Sequence, residues 1–153
     1  MKLKWFVIVA ISMSLLGCEM FSDPETLIRT PSISFNSMDE LRDYVTYELS
    51  YKSEFTDYWQ APQETIDKGT GDCEDFCIFV GYFASKMGYE VFLVVLETPK
   101  GNHMIIMLNG VPYEAQTLGK YQYYDKYPKI ARLTMDEALR KCYFTYGSRS
   151  VKE

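Results

Sequence analysis

The chain has 153 residues, of which 16 are basic and 21 acidic, and aromatic residues make up 16% of it. This length accommodates one domain with a sizeable core, and the aromatic content excludes a disordered chain. The acidic balance and the lack of a basic cluster argue against nucleic acid as a partner.

The first 17 residues have the layout of an export signal. Two lysines precede an apolar run, 5–16, that is too short to span a bilayer comfortably. The run ends in Leu15-Leu16-Gly17-Cys18, which resembles the lipobox of bacterial lipoproteins. The resemblance implies cleavage before Cys18 and acylation of that cysteine, which would hold the chain to a membrane face. A signal anchor and an ordinary cleaved signal are the alternatives.

The residues after the leader predict a tethered domain. Glu19 follows the cysteine, which in a Gram-negative envelope favours the outer membrane, so we expect a lipoprotein that faces the periplasm or a cell surface. Residues 18–36 contain two prolines and little periodicity and are predicted to be the tether. Residues 37–153 are predicted to be the domain. Without the two lysines of the leader, 14 basic and 21 acidic residues leave a net charge of −7.

Two helices are predicted before the first glycine pair. A capping box, Ser37-Met-Asp-Glu40, opens a helix whose apolar residues continue to about Tyr51. An extended approach, 58–62, then leads to a short helix that ends at Gly69.

The stretch 69–76 predicts a buried third helix with a cysteine in its first turn. Asp72 is the expected N-cap and Asp75 its partner three residues later, and apolar residues continue until Gly88. Cys73 therefore lies at the positive end of the helix dipole, which favours its thiolate. The negative charges of Asp72, Glu74 and Asp75 oppose this effect, so we expect Cys73 to depend more on pairing with a histidine.

The chain's one histidine, His103, is predicted to lie on a hairpin. Residues 90–97 form an expected buried strand, and Asn109-Gly110 is the turn between strands at 103–108 and 111–116. A two-residue turn pairs His103 with Gln116 and places Glu114 diagonally to the histidine, on the same face. Either residue can then orient the imidazole.

The remaining residues predict a loop and a last helix. The tyrosine loop, 118–128, is expected to cover the sheet, with substrate binding as the alternative. A capping box, Thr134-Met-Asp-Glu137, opens a helix to about Cys142. The fold class is therefore α+β, with the cysteine-bearing helix packed on a small antiparallel sheet.

Several of these residues resemble the motifs of one enzyme family, the bacterial transglutaminase-like cysteine proteinases of the transglutaminase-like and papain-like superfamily. The match covers residues 58–117 and consists of Trp59, Pro62-x-Glu64, Gly71-Asp72-Cys73-Glu74-Asp75-Phe76, His103 and Tyr113-Glu114. The resemblance implies a papain-like core in which Cys73 is the nucleophile, His103 the general base and Glu114 the acid that orients it. The family usually has Asp at the last position.

Other side chains are assigned supporting roles. The Cys73 backbone N–H and Gln60 are the expected oxyanion donors, with Gln116 as a further orienting candidate. Trp59 and Asp72 are expected in the substrate groove, although Trp59 fits the core equally well. No cofactor and no metal are expected. Zinc ligation by Cys73, Cys77 and His103 is a weak alternative, because a fourth ligand is missing.

The sequence thus predicts a membrane-anchored cysteine hydrolase or acyltransferase that acts on amide bonds of a peptide or protein. The alternatives are an inactive lipoprotein that binds a peptide or cell-envelope component in the same groove, and an envelope interaction factor. A disulfide between Cys77 and Cys142 would leave Cys73 reduced. The sequence leaves open the substrate, the oligomeric state and the choice between hydrolysis and amine transfer.

Overall fold

The computed structural model describes residues 28–53 and 58–150, with side chains to residue 142. The predicted signal peptide, the lipidation site Cys18 and most of the predicted tether lie outside the described residues. In the part that is described, no helix combines the length and the apolar character needed to cross a membrane.

The described residues form four helices and seven strands in one α+β arrangement. The helices are α1 (Met38–Tyr47), α2 (Pro62–Lys68), α3 (Cys73–Lys86) and α4 (Met135–Ser150). The strands are β1 (Ser50–Tyr51), β2 (Thr70–Gly71), β3 (Val91–Thr98), β4 (Gly101–Leu108), β5 (Val111–Glu114), β6 (Gly119–Lys120) and β7 (Lys129–Thr134).

Five of the strands form an antiparallel sheet in the order β6-β5-β4-β3-β7, and α3 packs on one face of it. The helix is buried over the whole range 75–84, as expected for a helix that is apolar on all sides. Both the predicted α+β class and the packing of the cysteine-bearing helix on an antiparallel sheet are confirmed.

The opposite face of the sheet has a second, smaller core. Strand residues alternate between faces, so that Val94, Leu96, Ile105 and Met107 point away from the main core. Tyr121, Tyr124 and Tyr127 pack against these four side chains. The predicted role of the tyrosine loop as a cover for the sheet is confirmed.

An aromatic cluster joins residues before the first helix to α3. Phe35 has its ring centroid 4.8 Å from that of Phe83, and Phe79 lies 5.0 Å from Phe83. In addition, the Ser32 N–H donates to the side chain of Gln63. The described end of the predicted tether, 28–36, is therefore attached to the domain by these contacts, and the boundary at residue 37 remains a prediction.

Several elements differ from those predicted. The first helix ends at Tyr47 because residues 50–51 pair in parallel with 70–71, through N–H donation from Ser50 to Gly69 and from Lys52 to Gly71. Strand β7 was not predicted, because its side chains are mostly exposed and show no apolar alternation. Helix α4 extends to Ser150 rather than to about Cys142.

Candidate active site

A capping box at the N-terminus of α3 positions Cys73. The Asp72 N–H donates to Asp75 Oδ2 at 3.1 Å, which confirms the predicted N-cap and its partner. The other carboxylate oxygen of Asp75 accepts from the Gln60 N–H at 2.8 Å. The first turn of α3 is thereby bound to the extended segment that precedes α2.

The Cys73 thiol is partly buried beside β4. Its Sγ donates to Glu74 Oε2 at 3.1 Å. Burial, together with the negative charges of Glu74 and Asp72, raises the pKa of Cys73 to about 12, and a backbone hydrogen bond from Met104 acts in the opposite direction. The thiol is therefore protonated at neutral pH in this arrangement, and it lies against the residue that follows His103.

The hairpin brings His103 and Glu114 together as predicted. Leu108 pairs with Val111 and Ile106 with Tyr113, so the Asn109-Gly110 turn has the expected two-residue register. His103 Nε2 lies 2.8 Å from Glu114 Oε2, and each of the two side chains is 25% exposed. Since Nε2 faces the carboxylate, Nδ1 is the ring nitrogen left to accept a proton from a thiol.

The thiol and the imidazole lie in one region but are not hydrogen-bonded to each other in the described structure. Each has a carboxylate partner instead, Glu74 for the thiol and Glu114 for the imidazole. Tyr51 lies near both groups. Burial raises the pKa of its phenol, and the nearby charges of Cys73 and Glu114 both add to this shift.

The predicted pairing of Gln116 with His103 is not present. Strand β5 ends at Glu114, whose carbonyl accepts from the N–H groups of Thr117 and Leu118 and so closes a turn over 115–118. Leu118 has a positive φ of 51° in this turn. The turn removes Gln116 from the strand, so Glu114 alone of the two candidates holds the imidazole.

Gln60 is fully buried, and neither Nε2 nor Oε1 of its amide has a hydrogen-bond partner among the described residues. An unpaired buried amide is costly unless a ligand completes it. Its backbone N–H is fixed by Asp75 at the head of α3, as described above. Gln60 therefore has the unused donor that an oxyanion site requires.

The two residues predicted to line the substrate groove are both largely buried. Trp59 is 6% exposed and belongs to the main core, with Lys141 Nζ 4.3 Å from a ring centroid of its indole. The core alternative therefore describes Trp59 better than a groove wall. Asp72 is 7% exposed, and its Oδ1 has no partner among the described residues. Burial, and then a hydrogen bond to Glu74, raise the pKa of Asp72 to about 8.

The other two cysteines of the described domain are free thiols. Both are buried, and Cys142 Sγ donates to the carbonyls of Gln60 and Ala138 at 3.4 and 3.3 Å. The disulfide between Cys77 and Cys142 that the sequence left open is not formed. The described residues also contain no group of three or more His, Cys, Asp or Glu side chains that could hold a metal ion, so the zinc alternative has no support.

Sequence reasoning missed Tyr51, which lies on the rim of the site. Its pairing with Gly71 through β1 and β2 brings it next to the start of α3, and it is 52% exposed. Only this long-range pairing places it there, and the sequence contains no local signal for it. A cleft of about 490 Å³ opens between Tyr51, the His103–Glu114 pair and the tyrosine loop.

The comparisons with known proteins identify the fold. No family model matches the chain, and no curated protein matches its sequence. Solved structures that match have the transglutaminase-like fold, which confirms the predicted fold. They include Legionella pneumophila LapG in a calcium-bound form, LapG itself and EGTA-treated LapG. Each has a TM-score of 0.51 and 18% identity and covers 72% of this chain; the share of LapG covered is 70% for the calcium-bound form and 68% for the other two.

Glu74→Gln should make the thiol more reactive. The substitution removes a negative charge and a carboxylate acceptor that both raise the Cys73 pKa, while burial continues to raise it. Alkylation by iodoacetamide at pH 9 in metal-free buffer should therefore become several times faster, because the rate follows the thiolate fraction. Glu90→Gln, at an exposed site at the start of β3, is the matched control and should react like the wild type. An unchanged or slower rate in Glu74→Gln would contradict the assigned role of Glu74.

Proposed function

We propose that the protein is a cysteine hydrolase or acyltransferase that acts on amide bonds of peptides or proteins. The observation that carries this proposal is the 2.8 Å contact of His103 Nε2 with Glu114 Oε2, next to a partly buried thiol at a helix N-terminus. Cys73 is the nucleophile, His103 the general base and acid, and Glu114 the group that orients the imidazole. The shared fold supports this, since LapG is a periplasmic cysteine protease.

The reaction follows from these roles. The Cys73 sulfur attacks the carbonyl carbon of the amide and its proton passes to Nδ1 of His103. The oxyanion accepts hydrogen bonds from the Cys73 N–H and the Gln60 amide. The carbon–nitrogen bond then breaks as the imidazolium gives its proton to the leaving amine. Water, or a second amine, attacks the thioester, and the thiol is regenerated.

Catalysis requires the thiol to exchange its partner. In the structure Sγ donates to Glu74, so its proton must be redirected from this carboxylate to the imidazole before attack. Glu114 is longer than the usual Asp of the family but reaches His103 with one oxygen. Its second oxygen, Oε1, is buried and has no partner among the described residues. The longer acid is therefore compatible with the orienting role.

The raised thiol pKa favours one second candidate, a non-catalytic domain that binds a peptide or cell-envelope component in the same place. A protonated thiol bonded to Glu74 is a weak nucleophile.

For either function we propose the expected setting, a periplasm-facing lipoprotein anchored through Cys18. The periplasmic location of LapG supports the exported setting.

Cys73→Ala should abolish activity, since no other group at the site can form the thioester. His103→Ala and Glu114→Gln should each lower kcat/KM by roughly 10²-fold. The measurement is the hydrolysis of a proteome-derived peptide mixture, followed by mass spectrometry of the new amino termini. Cys77→Ala is the matched control, because it removes a buried thiol one turn further along α3 and should retain activity. If the wild type produced no more new amino termini than Cys73→Ala, the proposed catalysis would be refuted. The binding candidate would then replace it.

We also propose that Asp72 and Glu74 bind a calcium ion, because LapG has been solved in a calcium-bound and in an EGTA-treated form. The two carboxylates share a hydrogen bond, and Asp72 Oδ1 is buried without a partner in the described structure. Calcium prefers oxygen ligands, and two carboxylates supply part of its shell, with carbonyls and waters as the rest. When bound, the ion would neutralise the two charges that flank the thiol.

Calcium binding is tested without reference to activity. Isothermal titration of calcium chloride into EGTA-dialysed protein should show one site in the wild type and at least tenfold weaker binding in Asp72→Asn and Glu74→Gln, which each lose a carboxylate ligand. Glu90→Gln should bind like the wild type. Identical binding in all four proteins, or none in the wild type, would refute this site.

A further inference from the structure

The 490 Å³ cleft beside the catalytic pair has a composition that the proposed chemistry does not explain. His103 and Glu114 line it, together with Tyr51 on β1 and three residues of the tyrosine loop, Tyr121, Tyr123 and Tyr127. Cys73 is not among its lining residues. The cleft therefore reaches the imidazole but not the thiol.

The position of the imidazole identifies which part of a substrate would enter this cleft. In the proposed reaction His103 protonates the leaving nitrogen, so this nitrogen must lie within hydrogen-bond reach of the ring. The acyl part of the substrate stays on the sulfur. The segment that follows the scissile bond is consequently the part that lies on the imidazole side, along the cleft.

Tyr51 lies at the border between the two halves of the site. Burial raises the pKa of its phenol. The charges of Cys73, Asp72 and Glu74 near the thiol and that of Glu114 inside the cleft raise it as well. The ring is half-exposed and lines the cleft opposite the tyrosine loop. A phenol in this place offers a flat apolar surface and a hydroxyl group to a peptide backbone that leaves the catalytic centre.

The described lining of the cleft contains one cation that can pair with an acidic occupant. Lys100, in the β3–β4 turn, is the one Lys or Arg among the described lining residues. Glu114 is the one acid among them, and its Oε2 is already bound to His103. Lys126, by contrast, lies over the rings of Tyr123 and Tyr127 at 5.4 and 5.5 Å, so it is engaged within the loop. Lys100 is therefore the cation available to a ligand.

The chain length between Lys100 and His103 gives the register of this contact. Lys100 lies in the turn before β4 and precedes His103 by three residues, which span at most about 10 Å of chain. An extended peptide covers the same distance in about three residues. A side chain at the third position after the scissile bond would thus reach the lysine.

We infer that this cleft binds the leaving segment of an extended peptide substrate, and that Lys100 selects an acidic residue at about the third position after the scissile bond. The inference rests on the proposed function, because the direction of the substrate follows from the role of His103. It names the substrate class as peptides with an acidic side chain shortly after the cut.

The test measures binding, so it does not depend on turnover. The protein is the full-length Cys73→Ala variant, and the probes are two synthetic peptides that mimic the leaving product. Ala-Ala-Asp-Ala-Ala and Ala-Ala-Lys-Ala-Ala both have a free amino terminus and a fluorescent dye at the carboxyl terminus. Fluorescence anisotropy should show the Asp peptide binding about fivefold more tightly than the Lys peptide, as expected for a partly exposed charge pair.

Substitutions identify the residues responsible. In the Cys73→Ala background, Lys100→Glu should reverse the order of the two peptides, whereas Tyr51→Ala should weaken both by a similar factor. Lys86→Glu is the matched control, since it makes the same charge change at the other end of α3, about 20 Å along the helix from Cys73. This control should leave the preference for the Asp peptide unchanged.

The outcomes separate the inference from the proposed function. Equal binding of the two peptides, or no effect of Lys100→Glu, overturns the assignment of the cleft even if the wild type cleaves peptides. Selective binding that is reversed by Lys100→Glu supports the assignment even if no peptide is hydrolysed. In that case the proposed catalytic function fails, and the cleft remains as a binding site for acidic peptides.

Discussion

The geometry of the site depends on one buried carboxylate, that of Asp75. It is fully buried and accepts from the N–H groups of Asp72 and Gln60, so one side chain binds the helix start to the segment before α2. Strand β2 runs so close to Asp75 that a Cβ at Gly71 would lie 2.7 Å from the Asp75 Cβ. Glycine is therefore required at this position. The Gly-Asp-Cys-Glu-Asp motif is thus a structural requirement as much as a chemical one, and it fixes Cys73 between these constraints.

The electrostatics of the site work against the thiolate. Burial is the largest cause of the raised pKa of Cys73, and the charges of Glu74 and Asp72 add to it, against the helix dipole, which favours negative charge at this end. The pKa of Cys73, raised to about 12 by burial and by these charges, and that of Asp72, raised to about 8, both describe a site that holds protons at neutral pH. A reactive site requires that this balance change, either through pairing of the thiol with His103 or through a cation at the carboxylates.

The sequence predicts the parts of the fold that local signals control. Capping boxes locate the starts of α1, α3 and α4. The Asn-Gly turn sets the register that brings Glu114 to His103, because side-chain direction in a two-residue hairpin follows from counting. These signals involve residues close together in the chain, which is why one sequence suffices.

The features that the sequence does not predict depend on contacts between distant residues. The pairing of Tyr51 with Gly71 joins residues twenty positions apart, and β7 reaches β3 across the hairpin and the tyrosine loop. Neither strand has the apolar alternation that identifies a half-buried strand. The predicted pairing of Gln116 with His103 is absent for a different reason. The turn that follows Glu114 ends strand β5 before the chain reaches Gln116. The free amide of Gln60 is likewise visible only when its surroundings are known.

The central claim is that the thiol of Cys73 reacts as a pair with the imidazole of His103. Its most direct test is the rate of alkylation of Cys73 as a function of pH, in the wild type and in His103→Ala. The account predicts a reactive component below pH 9 in the wild type that the substitution removes, since an unpaired thiol with a pKa of about 12 is almost wholly protonated there. Identical pH profiles in the two proteins would contradict it.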